Sequence, residues 1–232
     1  KTTPRLMEKE RFASANAGLI FDKFCDHWSG KNEWKGQLDK RRKKEVSKIE
    51  IDAGWNANPK TWFLKQVATH LTTNKRVPCL LKSCHVRRAE LLNSLGTAPK
   101  FFKTDWRLVS GLGMGHVLGA GFVWHKTLGV PYLPGSSVKG LMRAWAEQWG
   151  GASSAEVKRL FGPRGEEAQT SPDTGSLIVF DAIPVGSVKL EVDIMNPHYA
   201  PYYKDNLKPP ADYYSPRPIF FLTVAPGVEF SF

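Results

Sequence analysis

Residues 111–143, GLGMGHVLGAGFVWHKTLGVPYLPGSSVKGLMR, hold the densest set of residues able to hold an anion. Glycines let backbone amides approach a ligand closely, and a helix N-terminus offers unpaired N–H groups and partial positive charge. The segment joins the two: a glycine-rich loop passes through a proline-punctuated turn into a helix starting at Ser136 or Ser137, with Lys139 in its first turn. A cation there opposes the helix dipole by about 0.3–1 kcal/mol, and a bound anion reverses that sign. The predicted anion-binding set is Gly113, Gly115, His116, His125 and Lys126 in the loop with Ser136, Ser137, Lys139 and Arg143 at the helix.

Other chemistries fit less well. The loop lacks the glycine-lysine-serine/threonine ending of a Walker A motif, and Gly111, Gly113 and Gly115 are too closely spaced for a dinucleotide fingerprint. His116 is the candidate general base of a metal-independent ribonuclease, because histidine titrates near neutrality. Cys79, Cys84 and His85, with His70, match no zinc-finger spacing. Asp181, Glu191 and Asp193 are candidate Mg²⁺ ligands, although carboxylates on a wet strand face are commonly just solvated. No pattern calls for a cofactor or a small-molecule substrate.

Among 232 residues, 33 Lys and Arg against 22 Asp and Glu give a net charge of +11, which favours a polyanionic partner, nucleic acid first. No apolar run is long enough to span a bilayer, so a membrane is not expected as a partner. Three irregularly spaced cysteines and a charged start lacking a signal-peptide core predict a cytoplasmic protein. Opening on Lys1 rather than methionine suggests a trimmed N-terminus. Aromatics make up 12% of the chain; Trp124, Tyr132 and a Tyr/Pro loop at 196–218 (Tyr199, Tyr202, Tyr203, Tyr213, Tyr214) are candidates for stacking on unpaired bases, for docking a protein, or for core packing.

These residues need a frame. Residues 16–28 read as an anchored leader and 31–50 as an exposed basic loop or frayed helix. Asn58-Pro59 starts a helix over 59–73, and a second helix covers 84–95 with Leu91, Leu92 and Leu95 on one face and Arg88 one turn earlier. Alternation predicts strands at 101–109, with Phe102, Trp106 and Leu108 on the buried side, and at 188–194. The helix 136–149 is expected to bury Val138, Leu141, Met142, Trp145 and Trp149, with Lys139 and Arg143 on the other face. LIVF at 177–180 is expected as a short buried strand and 162–175 as a loop. Strands at 219–224 and 228–232 flank a tight turn at Ala225-Pro226-Gly227. The order is α+β, and its first half resembles the β-α-β part of a ferredoxin-like fold. The expected organisation is leader, basic loop and helices over 1–99 packed on a core over 100–232.

The segments NAGLIFDKF (16–24), YLPGSSVKGLMR (132–143), FDAIP (180–184), EVDIMNPHY (191–199) and Tyr202-Tyr203 resemble those of the sixth RAMP subunit of the Cmr complex, the type III-B CRISPR effector. That resemblance implies a ferredoxin-like, RRM-like RAMP core and membership of a multisubunit ribonucleoprotein. It implies a place near the 3′ end of the guide RNA and no catalytic activity of its own. RAMP proteins carry a second glycine-rich loop near the C-terminus; this sequence reaches Phe232 without one, so the C-terminal part of the fold is expected to be incomplete.

The sequence reading is therefore a non-catalytic subunit that holds guide-RNA phosphates through the glycine loop and helix start, in antiviral RNA-targeting defence. Target RNA and the other Cmr subunits are further expected partners. A guide-processing endoribonuclease using His116 and a purely structural capping subunit are the alternatives.

Overall fold

In the computed structural model, the structure describes residues 14–23, 28–29, 33–34, 59–165, 173–204 and 208–232. The basic 31–50 segment, apart from Glu33 and Trp34, and the Asn58 cap lie outside the described residues.

The architecture is α+β. Helix α1 (Ala17–Lys23) precedes a small hairpin of β1 (Trp28–Ser29) and β2 (Glu33–Trp34). Two longer helices follow, α2 (Pro59–Thr73) and α3 (Arg76–Ser94). Then come β3 (Phe101–Lys103), the glycine-rich segment, α4 (Gly135–Gln148) and α5 (Ser154–Phe161). The chain ends with β4 (Ile183–Pro184), β5 (Leu190–Met195), the short α6 (Ala200–Lys204), β6 (Ile219–Val224) and β7 (Glu229–Ser231). Strands pair antiparallel in the orders β3-β7-β4 and β5-β6. A bridge between Leu108 and Val224 continues the pairing beyond β3.

Helix α2 follows its pattern. Phe63, Leu64, Val67 and Leu71 recur on one stripe and are all buried, against α1 and the β5-β6 pair. Strand β6, IFFLTV, is buried along nearly its whole length, whereas β5 is half-buried from Glu191 to Met195, with Val192 and Ile194 packed against the core. At the β6-β7 turn Gly227 adopts φ +83°, and Thr104 locks the turn: its Oγ1 donates to the Ala225 carbonyl at 2.9 Å and accepts the Val228 amide at 3.1 Å.

Four expectations change. Helix α3 is longer than 84–95 and buries Val77, Leu81 and Leu92, leaving Leu91 and Leu95 exposed. The inward face includes His85 and Arg88, whose Nε2 and Nη1 reach the carbonyls of Pro184 at 2.8 Å and Asp181 at 2.7 Å, so polar anchors set the helix's rotation. The strand expected over 101–109 pairs as a strand only through Lys103; Phe102 is exposed on β3, and Trp106 is exposed beyond the point where regular pairing with β7 stops. LIVF 177–180 forms no strand: the amides of Ser176 and Leu177 close onto the carbonyls of Arg159 and Leu160 at the end of α5, and Ile178 points outward. Helix α5 itself was unforeseen, although Ser153 and Glu156 form a capping box readable as S-x-x-E.

The largest difference concerns α4. Val138 packs against the core, but the rest of the expected stripe faces outward: Leu141 and Trp149 are each 72% exposed and Trp145 is 59% exposed. Its basic side is turned inward, with the Arg143 side chain only 19% exposed. This assignment of inside and outside is directly measurable. Phe63→Ala should cost about 3–5 kcal/mol of unfolding free energy in a urea titration. Leu141→Ala should stay within about 0.5 kcal/mol, the range of surface substitutions, where a core leucine would cost several-fold more.

Candidate nucleic-acid interface

The glycine-rich segment is not a slack connection. Leu118, Phe122, Trp124, Leu128 and Val130 are all core residues, so the segment is pinned by every few side chains. Trp124 is thereby removed from the candidate stacking residues, being 3% exposed. Helix α1 clamps the segment from outside. Asn16 Nδ2 donates to the Lys126 carbonyl at 2.7 Å, and Lys126 Nζ pairs with Asp22 at 2.8 Å. Gly18 lies so close to Trp124 that an added Cβ would sit 2.7 Å from the tryptophan Cβ. The glycine of the leader is thus a packing requirement.

His116 belongs to the same clamp. Its ring stacks on Phe21 with centroids 4.2 Å apart and planes at 11°. Nε2 lies 3.1 Å from the Phe21 carbonyl, which requires Nε2 to carry the proton, and Nδ1 accepts the Leu118 amide at 3.2 Å. Both ring nitrogens are therefore spent on the chain's own backbone. Burial lowers its pKa, partly opposed by the Phe21 carbonyl and Asp22, so the neutral ring is favoured. His125 is used alike: Nδ1 accepts the Leu128 amide at 3.2 Å, and its ring meets Tyr132 edge-on.

What the loop leaves open is backbone. Gly113 and Gly115 are exposed, and a Cβ at either would meet nothing within 4 Å. Neither has the positive φ of Gly111 or Gly119. No packing or conformational demand within the described residues calls for glycine at these two positions. The Lys126 side chain is 81% exposed despite its ion pair with Asp22.

The helix start contains its own anion. Asp181 Oδ1 accepts the Gly135 amide at 2.7 Å, placing a carboxylate at the positive end of α4. The N-cap position is Pro134, without a side-chain cap, so neither Ser136 nor Ser137 caps the helix; both are exposed in its first turn. Lys139 Nζ donates to the Leu177 carbonyl at 2.8 Å. Arg143 Nε donates to Glu147 at 2.8 Å and Nη1 to the Gly162 carbonyl at 3.1 Å. The hydrogen bond from Arg143 holds the Glu147 carboxyl below its ordinary range. Lys139 and Arg143 do share a face, but it is the face that bonds the Leu177 and Gly162 carbonyls. Two groups result: loop residues organised on α1, and helix residues organised on Gly162, Leu177 and Asp181.

The metal candidates disperse into local pairs. Arg107 binds Glu191 at 3.2 Å and Asp193 at 3.5 Å, and Lys189 adds a contact to Glu191 at 3.1 Å. Hydrogen bonds from Lys189 and Arg107 lower the Glu191 pKa. His70 and His85 face the carbonyls of Ala15 and Pro184, each at 2.8 Å, and Cys79 is exposed. Among the described residues no helix is long and apolar enough to cross a membrane.

A model of the RAMP superfamily matches residues 96–226, more than half of the chain and all of the glycine-rich segment and α4. The chain belongs to the RAMP superfamily. Among known relatives, the CRISPR system Cmr subunit Cmr6 of Pyrococcus furiosus is 31% identical over 207 residues, covering 65% of this chain and 61% of the relative. The Cmr6 subunit of Saccharolobus solfataricus is 28% identical over 181 residues, covering 75% and 58%. This RAMP chain thus spans 61% and 58% of the length of these two relatives. A chain in the cryo-EM structure of the type III-B Cmr-beta bound to cognate target RNA matches with a TM-score of 0.54 and 26% identity, over 84% of this chain and 63% of that one.

The buried, neutral state of His116 has a consequence for stability. Its folded pKa lies below the ordinary 6.5, so near and below pH 6.5 the unfolded chain binds more protons than the native one. The stabilisation is complete above pH 6.5 and is lost as the pH falls from there through the folded-state value. Urea midpoints measured from pH 8 down to pH 5 should fall below about pH 6.5. His116→Gln should show a lower midpoint at pH 8 and a shallower acid decline.

Proposed function

We propose that this RAMP protein is a non-catalytic guide-RNA-binding subunit of a type III-B CRISPR (Cmr) effector, seated near the 3′ end of the guide. The observation that carries the reading is its likeness, over 84% of its length, to a chain of a type III-B Cmr-beta structure bound to cognate target RNA. The two Cmr6 relatives support the same assignment. On this reading the core is ferredoxin-like, with the N-terminal helices packed upon it, and the activity belongs to the assembly.

Three features of the chain support it physically. Net charge of +11 suits a polyanion whose sequence varies, since phosphate contacts hold any guide without reading it. Gly113 and Gly115 offer bare backbone where nothing internal requires glycine, which suits close approach by an external strand. Ser136, Ser137 and Lys126 add exposed polar contacts, while Lys139, Arg143, His116 and His125 act as positioning residues. A general base needs a free lone pair, and His116 has committed Nδ1 to an amide, which favours binding over ribonuclease chemistry. The outward apolar stripe of α4 favours life within an assembly, because a contiguous exposed patch of Leu and Trp is a docking face.

Three experiments test this. Affinity for unrelated single-stranded RNAs should be similar and should fall steeply with salt as counterions are released. Gly113→Ala and Gly115→Ala should hold or raise the melting temperature, because both backbones accept alanine, yet weaken RNA binding; unchanged affinity would remove this loop from the interface. In reconstitution with the other Cmr subunits, Trp145→Ser with Trp149→Ser should abolish incorporation of a chain that still folds. Incorporation at the wild-type level would show that α4 docks nothing.

A further inference from the structure

The Tyr/Pro loop at 196–218 exposes aromatic rings in a way that neither the core nor the glycine loop explains. Tyr203 is 74% and Tyr213 76% exposed. The rings stand in two pairs, Tyr202 with Tyr203 at a centroid distance of 5.6 Å and Tyr213 with Tyr214 at 4.5 Å. Both pairs are fixed to one scaffold. Tyr199 Oη donates to Asp212 at 3.1 Å, joining the two halves of the loop. His198 Nδ1 bonds the Tyr214 carbonyl at 2.8 Å, and the Arg217 amide bonds the Pro197 carbonyl at 3.1 Å. Pro209, Pro210, Pro216 and Pro218 restrict the backbone further. Ring faces held this way lose little freedom when something lies on them.

We propose that the Tyr202-Tyr203 and Tyr213-Tyr214 pairs form a stacking platform for unpaired bases of single-stranded RNA. The proposal rests on the RNA-binding reading above and names a second element of it. The chemistry of the surface selects the occupant. In sequence, 196–218 holds five tyrosines and six prolines against a single bulky aliphatic residue, Leu207, and no Ile, Val, Met, Phe or Trp. A protein-docking face is rich in aliphatic bulk, as the α4 stripe is with Leu141 and Met142. Every nucleobase has a π-face, so stacking tolerates any guide sequence. Lys208 and Arg217 are exposed cations of the same segment, and the carboxylate of Asp212 is taken by Tyr199. That hydrogen bond and the Asp212 charge raise the Tyr199 pKa.

The test compares two strands on the full chain by fluorescence anisotropy: a short unstructured RNA, and a strand of equal length carrying stable abasic spacers. Wild type should prefer the base-bearing strand. Tyr203→Ala and Tyr213→Ala should each lose about 5- to 150-fold for that strand, the range expected for one stacked base, with no change for the abasic strand. Phenylalanine at either position should retain binding, and leucine, which keeps apolar bulk without a π-face, should behave as alanine does. Thermal melts check that each variant is folded. Equal wild-type affinity for the two strands would overturn the platform while leaving phosphate-led binding standing. Rescue by leucine as good as by phenylalanine would overturn it in favour of a protein-docking face. Binding to neither strand would remove the RNA-binding reading itself, and the platform with it.

Discussion

Asp181 is the residue on which the arrangement of the RAMP region turns. Its carboxylate accepts the Gly135 amide and fixes the start of α4, while its carbonyl accepts Arg88 Nη1 and fixes α3. Its neighbour Ala182 bridges Leu133 by two backbone hydrogen bonds of 2.8 and 3.0 Å. Once the helix begins there, Lys139 and Arg143 reach the carbonyls of Leu177 and Gly162. Hydrogen bonds to charged groups contribute about 1.5–3 kcal/mol each, enough to decide which face of a short helix turns inward. The opposite face, carrying Leu141, Met142, Trp145 and Trp149, is left outside as a consequence.

This explains what could and could not be read from the sequence. The existence of α4 was legible, because residues three and four apart sort cleanly into an apolar and a basic row. Its orientation was not. Periodicity gives two faces and assumes that the apolar one is buried, an assumption that fails when the chain offers carbonyl acceptors to the basic one. Those acceptors lie 19 and 38 residues away, in segments with no regular pattern of their own. Helix α3 repeats the lesson: Arg88 interrupts the apolar row in sequence because it is the anchor of that row in space. Helix α2, whose inward face carries only apolar side chains at its stripe positions, was legible in its span and its buried stripe.

The glycine segment shows the same limit from the other side. Its composition marked it as a place of close approach, and that holds within the molecule itself, where Gly18 meets Trp124 and Gly121 meets the Gly111 carbonyl. Type and spacing alone could not separate glycines required by packing from glycines that packing ignores. The distinction needs coordinates: a Cβ on Gly135 would sit 2.3 Å from the Val179 carbonyl oxygen, whereas one on Gly113 or Gly115 would stand in open space. His116 likewise has the residue type for catalysis, but its ring lies flat on Phe21 with both nitrogens on backbone groups 2 and 95 residues away, an arrangement that closes the clamp on α1.

The chain therefore presents two kinds of exposed apolar surface, and their chemistry differs. On α4 the exposed groups are aliphatic and indole side chains on a helix, whose main-chain groups are already bonded. Such a surface gains by excluding water against another apolar surface, at about 25 cal/mol per Å² buried. In the 196–218 loop the exposed groups are phenols, tied by their own hydroxyls to Asp212 and to one another. Dehydrating them against a greasy partner would strand polar atoms, whereas a base stacked on the ring face leaves the hydroxyl edge in water. On the proposed reading of an RNA-binding subunit, the first surface suits a neighbouring protein and the second a strand of variable sequence. Lys139 and Arg143 set the outward face of α4 by bonding the Leu177 and Gly162 carbonyls, so on that reading their replacement should disturb assembly before it disturbs RNA.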